Sequence, residues 1–364
     1  MRIEDDMKVC FCIGKLTFSG AENVIRYVTG ELIKRGYDVS VILTEELPKE
    51  EDLIEGLTVE GAIIREGGFR NAIRRIKAIR KALKKLRPDM FIIFNYTMAF
   101  TAIPACVFLR KMKVAVCERN DPTAVPKSKN RKKARDFLFR LADVCVSQTE
   151  EIAAYFKKIV KNNVVIPNPI REKAEMCPDV CVRNKVFATV ARLDDYQKNQ
   201  TMMIRAFSKV VKDYPDYELH FLGGGPDFEK YKALISELGA ENNIKLLGNV
   251  KHPLEYIKNC RGFLLSSNYE GMPNALMEAM SIGLPCISTD CLGGGAAALI
   301  ADGESGFLVE RGNEEAFANR IRELIRDDDL CRRLGKEAYK INDTLNGERI
   351  VSMWEKLFQD YSRK

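Results

Sequence analysis

Histidine is scarce in this chain: two residues among 364, His220 and His252, and none before them. A histidine general base in the first half is thereby excluded, which removes the commonest way of drawing a proton from a hydroxyl. A zinc site is not expected either, because Cys177 and Cys181 have no further ligands close in sequence. The opening MRIEDDMK is acidic and lacks the basic and apolar regions of a secretory signal, so no export is expected. Long apolar runs are missing too. Residues 90–109, MFIIFNYTMAFTAIPACVFL, carry no charge, but Asn95, Tyr96, Thr97 and Pro104 divide them into a strand, a polar loop and a buried helix rather than a membrane span. Internal repeats and low-complexity tracts are absent, which excludes a solenoid.

Cysteine, by contrast, is plentiful, with eleven residues. The number is odd, the spacing irregular, and several lie in apolar runs such as VCFCI and VAVC, as free thiols do in a reduced, cytoplasmic protein. Charge is uneven: residues 1–175 hold 33 Lys/Arg against 23 Asp/Glu, and the remainder 25 against 28. Much of the excess lies in FRNAIRRIKAIRKALKKLRP, residues 69–88, which has nine basic residues, no acidic one, and a helical stripe of Ile73, Ile76, Ile79, Leu83 and Leu86. A second basic stretch, PKSKNRKKARDFLFR, follows. These segments fit an anionic leaflet, with the protein peripheral at the inner face of the cell membrane, or a lipid diphosphate; the plainer reading is a soluble helix with its stripe packed inward. Nucleic acid is not expected as a partner, since no aromatic platform or known binding motif accompanies the charges.

A chain of this length with 46% hydrophobic residues can bury two cores. Short β-branched runs alternate with helical patterns: KVCFCI, a helix through AENVIRYVTGELIKRG, YDVSVILT, then strands near 89–94, 113–117 and 143–147. The pattern restarts at KVFATVARL and continues through YELHFLG, NIKLLG, GFLLSS and PCISTD. Two doubly wound α/β sheets follow. Between them the periodicity lapses in VVIPNPIREKAEMCPDVCVRNK, as in an interdomain connection. The expected domains are 1–168 and 169–345, with 346–364 forming a helix that carries the one tryptophan and docks back toward the first domain across the interface.

Chemistry concentrates in SSNYEGMPNALMEAMSIGLPCISTD, residues 266–290. Glu270 precedes a helix opening near Pro273, whose first amides make a positive end suited to phosphate or hydroxyl-rich ligands. Glu278, the odd residue in an otherwise apolar helix, needs donors if buried; the plain alternative is a capping or internally paired carboxylate. In VARLDDYQKNQT, Arg192 ends a strand and Lys198 precedes a helix that Asn199 or Thr201 is placed to cap. Two cations there suit a departing diphosphate, unless they are ordinary charges of a solvated loop. FLGGGPDF puts Gly223 and Gly224 after a strand, for close backbone approach or a simple turn. GKLTFSGAENVI places Gly14 and Gly20 in a loop between strand and helix. VCERNDPTAVP puts Arg119, Asn120 and Asp121 at another strand end, where an Asn-Asp-Pro turn accounts for Asp121 as well as a catalytic base does. The acidic run Asp327–Asp329 reads as a helix start rather than a metal motif.

EGMPNALME matches the E-x7-E signature of family 4 retaining glycosyltransferases of the glycogen-synthase-like superfamily, and its surroundings resemble bacterial enzymes of capsular and other surface polysaccharides. The resemblance is strongest over 186–312 and implies the GT-B fold, two Rossmann-like domains facing across a cleft. It implies that Glu270 contacts the donor sugar and Glu278 the ribose, that Gly271, Met272, Asn274 and Ala275 surround sugar and phosphate, and that Arg192 and Lys198 neutralise the diphosphate. Gly223, Gly224 and Val250 fall where the family meets the nucleotide. Gly14 and Gly20 fall where it closes over the phosphates, although Ser19 stands where relatives have the first of two glycines. Inverting enzymes of this fold commonly use a histidine base in the first domain, and this chain has none there.

The expected function is therefore transfer, with retention, of a hexosyl or N-acetylhexosaminyl group from a nucleoside diphosphate sugar, a UDP-sugar first of all, to a growing lipid-linked glycan, with no metal or other cofactor. Arg119, Asn120 and Asp121 are the acceptor-side candidates. The alternatives are a nucleotide-sugar epimerase of the same fold and a non-catalytic nucleotide-sugar-binding protein.

Overall fold

The computed structural model describes residues 7–16, 20–64, 68–109, 111–171 and 173–361. They form two compact units, residues 1–171 with 347–364, and residues 172–346.

In the first unit the strands are β1 (Lys8–Ile13), β2 (Asp38–Leu43), β3 (Thr58–Gly61), β4 (Met90–Ile93), β5 (Lys113–Cys117), β6 (Val144–Ser147) and β7 (Asn163–Val165). Its helices are α1 (Gly20–Lys34), α2 (Phe69–Leu86), α3 (Tyr96–Cys106), α4 (Lys129–Phe139) and α5 (Glu150–Phe156). The second unit has β8 (Val186–Val190), β9 (Glu218–Leu222), β10 (Ile244–Gly248), β11 (Gly262–Leu265), β12 (Cys286–Thr289) and β13 (Phe307–Val309). With them come α6 (Asp195–Lys198), α7 (Gln200–Val210), α8 (Phe228–Glu237), α9 (Pro253–Ile257), α10 (Asn274–Ser281), α11 (Glu314–Arg326), α12 (Asp328–Tyr339) and α13 (Ile341–Thr344). The last helix, α14 (Gly347–Tyr361), returns to the first unit.

Both sheets are parallel throughout, ordered β3-β2-β1-β4-β5-β6-β7 and β10-β9-β8-β11-β12-β13. Central strands such as MFII and GFLL are buried along their whole length, because helices cover both faces. That explains why they read as continuous apolar runs. The short strands β3, β7 and β13 give no such run and were not legible in advance; TVEG at β3 lies at a sheet edge and buries little.

Residues 90–109 divide into β4 and α3 without the expected polar loop: Asn95 accepts the Thr97 amide at 3.0 Å as the helix cap, and Tyr96, Thr97 and Pro104 lie within α3. No helix among the described residues is long and apolar enough to cross a membrane. The stripe of α2 turns inward only in part: Ile79 and Leu83 are buried, whereas Phe69 and Ile73 at its start are exposed. The second basic stretch contains a surprise, since Arg135 of α4 is fully buried. Asp327 accepts the Leu330 amide at 2.8 Å and so caps α12, as its sequence suggested.

Helix α14 is held by its tryptophan. Trp354 is 1% exposed and meets Phe11 of β1 and Phe94 after β4 with ring centroids 5.9 and 6.5 Å away; Phe358 meets Tyr37 at 5.7 Å, and Arg35 pairs with Glu355. These aromatic edges bury a large apolar area with defined geometry. Trp354→Ala is expected to destabilise the first unit by about 3–5 kcal/mol, read as a lowered urea midpoint; a midpoint close to that of the parent protein would show that α14 contributes little.

Candidate active site

Strand order in the second sheet reverses between β8 and β11. The loops leaving two such strands run in opposite directions, and the crevice between them lies at the strands' C-terminal ends. Here the loop after β8 contains Arg192 and α6, and the loop after β11 runs from Ser266 to Pro273. The two are joined by hydrogen bonds: Asn268 donates its amide to Gln197 O at 2.7 Å and its side chain to Tyr196 O at 3.1 Å, and Ser266 Oγ donates to Lys198 O at 2.8 Å.

This stitching brings Lys198 and Glu270 together. Lys198 Nζ donates to Glu270 Oε1 at 2.5 Å, Ser267 Oγ donates to the same oxygen at 2.7 Å, and Gln197 Nε2 lies 3.4 Å from Oε2. Glu270 is 6% exposed, so a charge that would be costly to bury alone is compensated by a cation and two neutral donors. Arg192 shares the loop but differs in setting: its side chain is 65% exposed and pairs with Asp194. Gln200 fixes its backbone, donating to Arg192 O at 2.9 Å while its own oxygen accepts from Tyr231 at 2.8 Å.

Helix α10 begins at the far end of the Glu270 loop. The amides of Leu276 and Met277 both donate to Pro273 O at 3.1 Å, so Asn274 and Ala275 precede the helical ladder at its positive end. Gly271 and Met272 are buried just before it. The loop can approach its neighbour this closely because residue 295 is glycine, where a Cβ would lie 2.4 Å from Gly271 O. Glu278 lies on α10 half-buried rather than enclosed, which corrects the expectation of a carboxylate sunk in an apolar helix.

Opposite β8, Gly223 follows β9 with φ +140°, and a Cβ there would sit 2.1 Å from Ala191 O. The close approach is to the protein's own loop: Leu193 N donates to Gly224 O at 3.0 Å, and Gly224 N donates to Asn249 Oδ1 at 2.9 Å. Strand β10 ends at Gly248, so Asn249 meets the glycine loop and Val250 lies one residue beyond, half-buried. The expected cap of α7 is also corrected. Asn199 adopts a left-handed conformation with no capping bond, and it is Asp195 that accepts the Thr201 amide, at 2.9 Å.

In the first unit, Gly14 follows β1 under a carboxyl group: Glu45 donates its amide to Gly14 O at 2.8 Å, and its Cδ lies 2.7 Å from where a Gly14 Cβ would be. Gly20 begins α1, and Ser19 lies outside the described residues. Asp121 is 2% exposed, and its Oδ1 accepts the Thr123 amide and hydroxyl at 2.5 Å and the Ala124 amide at 2.7 Å. That is the geometry of a turn. Arg119 is buried over the Phe94 ring, 4.4 Å from its centroid, and donates to Asn168; Asn120 is half-buried. The cysteines Cys177 and Cys181 serve separate contacts, with Gly283 O at 3.4 Å and Asp328 at 3.6 Å.

Two family models match, in order along the chain: that of Glycosyltransferase Family 4 over residues 18–173 and that of Glycosyl transferases group 1 over residues 181–341. The chain belongs to glycosyltransferase family 4. An uncharacterized glycosyltransferase of Methanocaldococcus jannaschii is 27% identical over 339 residues, 79% of this chain and 83% of the relative. The N-acetylgalactosamine-N,N'-diacetylbacillosaminyl-diphospho-undecaprenol 4-alpha-N-acetylgalactosaminyltransferase of Campylobacter jejuni is 28% identical over 276 residues, 72% of each chain. Among solved structures, the HepE protein of Anabaena in complex with UDP and glucose superposes with a TM-score of 0.82 at 18% identity, covering 97% of this chain and 100% of that one. The two doubly wound sheets of this transferase are thus those of the GT-B fold.

Sequence reading of the transferase missed the residues that hold the named ones in place: Gln197, Gln200 and Ser267 around the Lys198–Glu270 pair, and Glu118 beside Arg119. An uncharged polar residue in a polar loop gave no distinguishing signal for the first three. Glu118 was legible only as a strand-end charge. It is fully buried; its Oε1 accepts the amides of Arg119 and Asn120 at 3.0 and 3.2 Å, and its Oε2 lies 3.7 Å from Arg135. Burial raises its pKa to about 8, against the opposing pull of Arg135 and of the two amides. The folded transferase therefore holds this proton more firmly than the unfolded chain does. Stability contributed below about pH 4.5 is lost as pH rises toward about 8. Glu118→Gln cannot ionise, and its stability relative to the parent is expected to improve from about pH 5 to about pH 8, measured by urea denaturation at several pH values; a constant difference would mean that Glu118 is ionised throughout.

Proposed function

We propose that this transferase moves a hexosyl or N-acetylhexosaminyl group from a UDP-sugar to a lipid-linked glycan of a surface polysaccharide, with retention of anomeric configuration and without a metal ion. The observation that carries the reading is the Lys198–Glu270 pair, 2.5 Å apart at the sheet's reversal point and beside the start of α10. A carboxylate held this way is oriented to accept from sugar hydroxyls while the ammonium meets diphosphate oxygens. Arg192, exposed on the same loop, adds the second cation, and Glu278 binds the ribose. The acceptor oxygen attacks the anomeric carbon as the bond from that carbon to the phosphate oxygen breaks. The acceptor's proton passes to the departing phosphate oxygen on the same face, so no histidine is required.

The lipid-linked acceptor is supported by the Campylobacter relative, whose name specifies a diphospho-undecaprenol substrate. It is supported also by the start of α2, where exposed Phe69 and Ile73 alternate with basic residues, and by exposed Phe108, 82% accessible, after α3. The protein then works at the cytoplasmic face of the membrane, held by charge and shallow apolar contact.

Lys198→Ala and Glu270→Gln are each expected to lower kcat/KM about 10²–10³-fold, with the product's anomeric configuration read by proton NMR. An inverted product, or conversion of the nucleotide sugar without any acceptor, would overturn the reading, the second outcome in favour of an epimerase. Vesicles containing anionic lipid should co-sediment the protein at low salt, with binding weakened by salt and by Phe69→Ser; equal binding to neutral vesicles would remove the membrane assignment.

A further inference from the structure

At the C-terminal ends of β4, β5 and β6 the first unit carries polar groups that its own atoms satisfy only in part. Arg119 is 8% exposed. Its Nη2 donates to Asn168 Oδ1, while Nε and Nη1 are buried without a hydrogen-bond partner. Gln148 of the next strand end, 2% exposed, donates Nε2 to the same Asn168 oxygen at 2.8 Å and leaves Oε1 buried without a partner. A guanidinium in this position ordinarily has a carboxylate, and among the described residues Arg119 has none within pairing distance. Glu118 directs one oxygen to the loop amides and the other toward Arg135, and Asp121 is engaged by Thr123 and Ala124.

Burying a cation and a carbonyl oxygen unsatisfied costs several kcal/mol. Two unused N–H donors on a positive group call for an oxyanion, and an unused acceptor beside them calls for a hydroxyl. The two together describe a phosphate ester of a sugar. The position agrees, since open parallel sheets bind ligands at their C-terminal strand ends.

We propose that Arg119 and Gln148 form a sugar-phosphate subsite in the first unit, Arg119 donating to phosphate oxygens and Gln148 Oε1 accepting from an adjacent hydroxyl. The assignment deepens the transferase reading, on which it rests for the ligand's source, a phosphate of the acceptor.

Binding measured without turnover separates the two readings, so absence of sugar transfer would refute the transferase reading and leave this one to be judged. Inorganic pyrophosphate is titrated by calorimetry into the parent protein, Lys198→Ala, Arg119→Gln and the double variant, with folding checked by circular dichroism. Lys198→Ala is expected to retain a binding event that the double variant loses, with affinity falling at least tenfold. Loss of all pyrophosphate binding in Lys198→Ala alone also overturns the proposal, since the probe then rests on the second unit only. Unchanged pyrophosphate affinity on adding Arg119→Gln, in both backgrounds, overturns the proposal. Should Arg119→Gln fail to fold, Gln148→Leu takes its place with N-acetylglucosamine 1-phosphate as the probe, and the expected result is a severalfold loss of affinity; an unchanged affinity overturns the proposal equally.

Discussion

The ammonium of Lys198 against the carboxylate of Glu270 is the constraint around which the loops at the second sheet's reversal point are arranged. It joins the loop after β8 to the loop after β11, where the sheet reverses and the backbone would otherwise splay apart. Ser267 and Gln197 complete the carboxylate's hydrogen bonds, and the peptide groups of Tyr196, Gln197 and Lys198 are tied to Asn268 and Ser266. In the proposed reaction, an ion pair so supported offers fixed charges to a ligand whose own charge changes as it reacts. Close backbone contact does the remaining shaping, at Gly223 against Ala191 and at Gly295 against Gly271.

The first unit follows a different logic. Its corresponding strand ends hold a dense, nearly dry set of ionisable groups: Glu118, Arg119, Asp121 and Arg135. Arg135 is fully engaged, with Val125 O at 2.7 Å, Asp136, and Tyr155 at 3.1 Å, and it lends its charge to Glu118. Asp121 organises a turn. Arg119 alone among these keeps unused donors, which sets it apart from neighbours of the same composition. Two cations close together in one motif-bearing region thus have opposite parts, one structural and one available.

Of the fold, the long strands and the repeated doubly wound pattern could be read from apolar runs bounded by turns, because parallel strands covered on both faces carry that signature. The edge strands β3 and β13 could not, since their residues bury little or are few. Of the candidate site, Glu270 and Glu278 stand out in the sequence as a spaced pair, and Arg192 and Lys198 as charges after a strand. Asn249, Gln148 and Asn168 do not, since an isolated amide carries no pattern; its role depends on which backbone or side chain comes to face it.

What the sequence by itself determined is two parallel α/β units and the positions of the charged residues at their strand ends, since burial periodicity and residue spacing are local properties; the family entered through resemblance and was then shown by the matching family models. Tertiary structure alone decided which charges are compensated. It placed Arg135 in the core though it sits within a basic run, left Glu278 half-buried, turned Asp121 into a turn-former and left Arg119 with donors to spare. The reason is physical: the energy of a charge depends on the dielectric and the partners around it, and those come from residues far away in the chain.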